Sequence, residues 1–290
     1  MFFLLSFIAN IGYALQNSFM AAYYRKIDSL SAVTYRGLSL LISMLPVLYF
    51  VEDLNANLVI SILPLISLAS FFTVIANAQA ALVYQYLPLG IAGALCVSSA
   101  TIFATLFGFL FLSESPNYIQ SVCIVSILCL VFFLGSLTNS EKQHEYQVKK
   151  GLIATFLFAF FIATGYIFMG RASREIDPLL SGYLWEGGIG ICGVILTILR
   201  KFSGGKPLEK ISFQDFYKIL LYSSPTVFAT ACFSLAIKMG PMSIVLAIIA
   251  TGIIINCILG SLLYKEKLTW KQWGVILLIC GVVVLLKYNS

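Results

Sequence analysis

The sequence predicts an all-α membrane protein: ten transmembrane helices in two inverted five-helix repeats. Three observations carry this. The chain of 290 residues is 60% hydrophobic and only 10% charged, with a mean hydropathy of +0.97, whereas soluble domains carry about 25% charged residues. Most of its length lies in apolar runs of about 20 residues, enough to cross about 30 Å of hydrocarbon at 1.5 Å per residue. The chain also repeats itself. LVYQYLPLGIAG and FGFLFLSESPNYIQS in the first half return as SLAIKMGPMSIVL and LGSLLYKEKLTWKQWG in the second. Pro88 aligns with Pro241, Gly108 with Gly260 and Glu114 with Glu266, at an offset of roughly 152 residues.

In order, the expected spans are 2–23, 31–51, 58–80, 88–112, 116–137, 151–170, 179–200, 217–238, 242–264 and 269–287. The runs are too long and too uniformly apolar for barrel strands, and a helix satisfies its own backbone in lipid. The N-terminus is apolar from Phe2, with no basic flank and no small-residue cleavage site, so it reads as a retained first span. Two connections are long. Residues 138–150, with the polar run SEKQHEYQVKK, separate a first repeat (1–137) from a second (151–290). Residues 201–215 hold paired glycines and a proline and read as a loop.

Five spans is an odd number, so the second repeat enters the membrane from the opposite side. The 18 Lys and Arg set the orientation. Most lie after spans 1, 5, 7 and 9, at Arg25, Lys26, Lys142, Lys149, Lys150, Arg200, Lys201, Lys206, Lys210, Lys218, Lys265, Lys267 and Lys271. The other side holds Arg171, Arg174, Lys238 and Lys287, with acidic Glu52 and Asp53. The positive-inside rule puts the first set in the cytoplasm and both termini outside. The net charge of +6 is therefore a loop property, and no nucleic acid is expected as a partner.

All seven cysteines (Cys96, Cys123, Cys129, Cys192, Cys232, Cys257, Cys280) lie in apolar runs and form no CxxC motif. The one histidine, His144, is in the polar linker. Neither a metal nor any other cofactor is expected. Of the two alternative readings, a membrane-embedded enzyme lacks a converging catalytic set, and a structural or receptor-like, non-transporting membrane protein has no need of an inverted duplication.

The repeated segment resembles the ten-helix, EamA-like branch of the drug/metabolite transporter superfamily. The second copy matches through Leu262, Leu263, Tyr264, Glu266, Trp273, Gly274, Gly281 and Val282; the first matches more loosely through Phe111, Leu112, Glu114 and Gly135, with Gln120 and Ser121 in place of Trp–Gly. Arg36 matches an arginine common in the second helix. The resemblance implies a basket of helices around a central cavity, with the fifth and tenth helices at the back, and transport by alternating access without ATP. No GxxxxGK[ST] loop occurs. Family members usually keep both termini in the cytoplasm; the basic residues of this chain read the other way.

Ionisable groups inside spans point to function, because a charge in hydrocarbon costs at least about 2.5 kcal/mol. Two are clear, Glu186 in span 7 and Arg36 in span 2. Glu186 either pairs structurally or serves a cavity for protons or a cationic group. Arg36 either snorkels or faces the same cavity. Trp185 and Tyr183 flank Glu186, and Tyr13 and Tyr166 occupy matching places in spans 1 and 6, beside Gly12 and Gly165. Aromatic faces near a carboxylate can hold an organic cation. Asn10, Asn77 and Asn256 are the leading polar amides, with Gln16, Asn17 and Gln79 behind them. Hydrogen bonding between helices is the competing use for each. Glu114 and Glu266 sit at helix ends, where bracing of the loop is the expected role.

The expected function is secondary transport of a small organic solute (an amino acid, amine or related metabolite), with the bilayer as partner and protons as the coupling ion that Glu186 would support. The expected location is the plasma membrane, or the inner membrane of a bacterium. A monomer is the default state, and the sequence leaves a dimer open.

Overall fold

The computed structural model describes residues 1–52, 55–112, 117–137, 147–265 and 268–289. Glu114, Glu266 and His144 lie outside them. The described residues form helices and no strand: α1 (Phe2–Lys26), α2 (Ser29–Ser43), a 3-10 turn (Leu45–Phe50), α3 (Ala56–Tyr86), α4 (Leu89–Leu112), α5 (Tyr118–Leu137), α6 (Val148–Glu175), α7 (Pro178–Phe202), α8 (Phe213–Ser223), α9 (Pro225–Met239), α10 (Met242–Ala250), α11 (Ile253–Tyr264) and α12 (Trp270–Tyr288). Among the described residues six stretches are long and apolar enough to cross a membrane by length and composition: Ala56–Tyr86, Ile91–Phe111, Val148–Glu175, Pro178–Phe202, Phe213–Met239 and Met242–Tyr264. The exposed rings of Tyr49, Tyr118, Trp270 and Tyr288 sit at the ends of helical segments, where amphipathic aromatics meet the headgroup layer.

The helices differ from the expected spans in several places: the second is α-helical only to Ser43 and continues as the 3-10 turn Leu45–Phe50, the sixth runs on to Glu175 instead of 170, and three further differences have a local cause. The third runs to Tyr86 instead of 80, because nothing breaks it before Leu87, which is extended ahead of Pro88. The eighth is broken at Ser224–Pro225, where the proline lacks an N–H. The ninth is broken at Thr251–Gly252. There Asn10 of α1 reaches across: its Nδ2 donates to Ile248 O (3.3 Å) and to Thr251 Oγ1 (2.7 Å). Polar side chains thus satisfy the groups that an interrupted helix leaves open in lipid.

The structure also exposes a repeat missed in the sequence. Arg25–Lys26–Ile27–Asp28 and Arg174–Glu175–Ile176–Asp177 have the same pattern, Arg-x-Ile-Asp. Both isoleucines are extended and end a helix, and both aspartates cap the next one. Asp28 accepts from Ser31 N (3.0 Å), and Asp177 accepts from Leu179 N (2.8 Å).

Helices pack across the two halves: α1 on α9, α3 on α6, α2 on α7, α4 on α10 and α11, and α5 on α12. Small residues set the closest approaches, as van der Waals contact in lipid requires. A β-carbon on Gly190 would lie 2.6 Å from the Gly37 carbonyl carbon, so α2 and α7 touch backbone to backbone. One on Gly12 would meet Pro225 O at 2.7 Å, and one on Gly165 would meet Thr73 Oγ1 at 2.5 Å. At one end of the α2–α7 pair, Arg200 grips Asp28 with two bonds (3.0 and 2.8 Å). Burial pushes the Asp28 carboxyl up, but the Arg200 fork and the Ser31 donors outweigh it and hold it below the usual carboxylate range.

The glycine crossing yields a direct test. Gly190→Leu must push α2 from α7, an overpacking cost of about 1–3 kcal/mol. A lowered thermal midpoint in detergent is the expected result, whereas Gly281→Ala, where an added β-carbon meets nothing within 4 Å, should not lower it.

Candidate functional site

Between the two halves the bundle leaves a cavity of about 100 Å³. Its wall includes Tyr13, Gln16, Asn17 and Tyr24 of α1, Arg36 of α2, and Thr73, Asn77 and Tyr84 of α3. The facing wall comes from Cys96 and Thr101 of α4, Phe158, Ile162 and Tyr166 of α6, Trp185 and Glu186 of α7, and Leu246 and Ile249 of α10.

At its centre is an ion pair. Arg36 Nη2 lies 3.2 Å from both Glu186 oxygens, and the two residues are only 5% and 1% exposed. Thr230 Oγ1 donates to Glu186 Oε1 at 2.9 Å. Its single proton is then used, so Tyr13, 3.0 Å away, is the donor to Thr230. The carboxylate is therefore held by α2, α9 and, through Thr230, α1. The guanidinium is less well satisfied: Arg36 Nε and Nη1 are buried with no hydrogen-bond partner among the described residues. Unmade bonds of this kind are costly in a dry interior.

An aromatic wall stands beside the pair. Phe233, fully buried, contacts Tyr13, Tyr166 and Trp185 at centroid distances of 6.0, 5.3 and 6.0 Å. Trp185 is fixed at both ends, its Nε1 donating to Thr73 Oγ1 (3.1 Å) and its carbonyl accepting from Ser70 (3.0 Å). Gln16 Nε2 donates to Tyr24 OH (3.3 Å) on the cavity floor.

Of the sequence-derived candidates, Glu186, Trp185, Arg36, Tyr13, Tyr166 and Asn77 meet around this cavity. Three stand elsewhere. Tyr183 is half-buried on α7 outside the wall. Asn10 is taken up by the α10–α11 break. Asn256 accepts from Ser18 at 3.3 Å and packs against Gly93. Thr230, Phe233, Thr73, Tyr24 and Tyr84 are additions. Tyr24 and Tyr84 fall just past the expected ends of spans 1 and 3. The run of α3 up to the turn at Pro88 was the available signal for Tyr84; nothing in the sequence marks Thr230. Among the described residues no group of His, Cys, Asp and Glu could hold a metal ion.

The pair can be tested by stability. Arg36→Ala or Glu186→Ala leaves one buried charge alone, a loss of about 3–5 kcal/mol. The double variant Arg36→Met with Glu186→Leu recovers most of it. Thermal unfolding in detergent checks both; additive losses in the double variant would contradict a direct pair.

A family profile described as the EamA-like transporter family matches residues 149–287. No curated protein sequence matches the chain. Among solved structures, one titled only as the crystal structure of a protein superposes with a TM-score of 0.63 at 11% identity, covering 97% of this chain and 94% of its own. At that identity the likeness is one of fold. Residues 149–287 are thus similar to the EamA-like transporter family, in an integral membrane protein consistent with the drug/metabolite transporter superfamily.

Proposed function

We propose that the protein is a secondary transporter of a small organic solute, an amino acid, amine or related metabolite, working by alternating access around the Arg36–Glu186 cavity. The observation that carries this reading is the buried pair itself, contributed by α2 from one half and α7 from the other, in a largely apolar cavity inside the bundle. Intramembrane charges in such a place mark a solute or ion path. Among the three solute classes the pair favours one. A simple amine would take Glu186 and strand Arg36, and an anion would do the reverse, each leaving a buried charge alone. A solute with both charges re-pairs both, and its carboxylate can use the donors that Arg36 leaves unmade. The aromatic wall suits an apolar side chain. Protons on Glu186 would serve as the coupling ion. The enzyme alternative is weaker, because the described wall holds no histidine to pair with a nucleophile.

The architecture in this reading is ten spans in two inverted repeats, 1–137 and 151–290. Exchange of the halves maps the packing onto itself: α1 on α9 becomes α6 on α3, while α2–α7 and α5–α12 map to themselves. Gly12–Tyr13 and Gly165–Tyr166 play the same part in the two copies. The plasma membrane is the proposed location, with residues 138–150 and 201–215 in the cytoplasm.

Two experiments test the reading. In liposomes, labelled leucine or phenylalanine should exchange, and the matching amine or acid, each lacking one charge, should compete poorly. Glu186→Gln keeps the shape and one acceptor for Arg36 but not the neutralising charge, so it should unfold at a lower temperature than the parent and, in the fraction that folds and inserts, lose exchange at every pH; normal exchange would make the residue structural. For orientation, Ser140→Cys should resist a membrane-impermeant maleimide added to intact cells while Asn289→Cys reacts. The opposite pattern would turn the protein over.

A further inference from the structure

The floor of the cavity is built differently from the rest of its wall. Tyr24 and Tyr84 stack across it at 5.8 Å with ring planes 18° apart, and they are 4% and 2% exposed. They stand at the finishing ends of α1 and α3, whose last carbonyls have no partner within their own helices. Each helix supplies the other's missing donor. Arg25 Nε of α1 donates to Tyr84 O of α3 at 3.0 Å, and its Nη2 lies 3.5 Å from Leu87 O. Gln85 Nε2 of α3 donates to Tyr24 O of α1 and lies 3.5 Å from Ile27 O. A cation near two helix C-termini is also favoured by both dipoles. The second half adds a pin: the Arg25 guanidinium lies 5.0 Å from the Tyr264 ring centre, and Tyr264 OH donates to Ser18 O at 2.8 Å.

The corresponding places in the second half have other chemistry. Arg25 stands three residues before Asp28, as Arg174 does before Asp177; Gln85 stands three before Pro88, as Lys238 does before Pro241. One end thus has a cation and a neutral amide. The other has two cations, with Lys238 lining an open concavity of about 190 Å³ beside Glu52, Glu175 and Asp177. Charges in so wet a setting are screened, whereas the Arg25 and Gln85 bonds cap helix ends over a dry aromatic floor.

We propose that Tyr24, Arg25, Tyr84 and Gln85 form the gate that closes the cavity at the end where α1 and α3 finish, and that release of this reciprocal clasp opens the cavity there. The step breaks no covalent bond. It exchanges four side chain–carbonyl contacts for water and unstacks two rings. The inequality of the two ends keeps this gate shut in the unloaded protein. The gate rests on the transport reading, but its accessibility can be measured without a solute.

Cys96, a free thiol in the cavity wall and 3% exposed, is a native reporter. In protein whose other cysteines are replaced by alanine, reconstituted in liposomes, Cys96 should react slowly with a charged methanethiosulfonate. Arg25→Gln combined with Gln85→Ala should raise that rate about tenfold, the factor expected for loss of roughly one charge-assisted hydrogen bond. Lys238→Ala, at the other end, should leave it unchanged. If the double variant does not fold, Gln85→Ala alone, which keeps Arg25, must still raise the rate severalfold. An unchanged rate in the folded variants, or an equal rise with Lys238→Ala, overturns the gate. A raised Cys96 rate with no exchange of leucine or phenylalanine by the parent would leave the gate standing and remove the transport reading.

Discussion

A charge surrounded by hydrocarbon survives only beside its opposite, and the interior of this protein is arranged around one such meeting. Arg36 and Glu186 come from different halves, so neither half is complete without the other. The close approach that lets them meet is made by their neighbours, Gly37 and Gly190, where the backbones of α2 and α7 touch. Thr230 then fixes the carboxylate, Tyr13 fixes Thr230, and Phe233 gathers the rings behind them. Removing either charge would therefore disturb four helices, whereas removing an outer ring such as Phe228 exposes only lipid-facing surface.

The helix breaks obey the same economy. An interrupted helix in lipid must find partners for its open backbone groups. In α10–α11 Asn10 supplies them from a neighbouring helix, and at the ends of α1 and α3 the partners are exchanged between the two helices. Polar residues in the bundle thus divide into those occupied by the backbone and those turned toward empty space. Asn10 belongs to the first kind, and Asn17 and Asn77 to the second.

That division explains what could be read in advance. The apolar runs and the turn residues located the helical stretches, because hydropathy and proline act locally, but not the break after Ser43, the interruptions at Ser224 and Thr251, or the last turns of α3 and α6. Glu186 and Arg36 stood out because charges are rare in such runs, but their contact could not be read from either helix. Asn10, Asn77 and Asn256 looked alike as sequence. Only the break at Gly252 and the place of Gly93 separate the structural amides from the one that faces the cavity. Thr230 was invisible, since threonines are common in lipid-embedded helices and usually bond their own backbone. The Arg-x-Ile-Asp repeat escaped notice because the spacing between Tyr13 and Asp28 differs from that between Tyr166 and Asp177, so no single offset aligns both features.

The backbone contact between Gly37 and Gly190 has a mechanical side. Most helix pairs are keyed together by interlocking side chains, and tilting one against the other must lift knobs out of holes. Here two bare α-carbons meet at the centre, and the only keys described nearby are small, Thr34 against Gly193 and Leu41 against Gly187, about one turn to either side. Rotation about that point leaves these two keys close to the pivot, and Arg36 and Glu186, one residue and four residues away, move little. A fulcrum placed next to the charges turns a small rotation at the centre into a large displacement at the rims of the bundle.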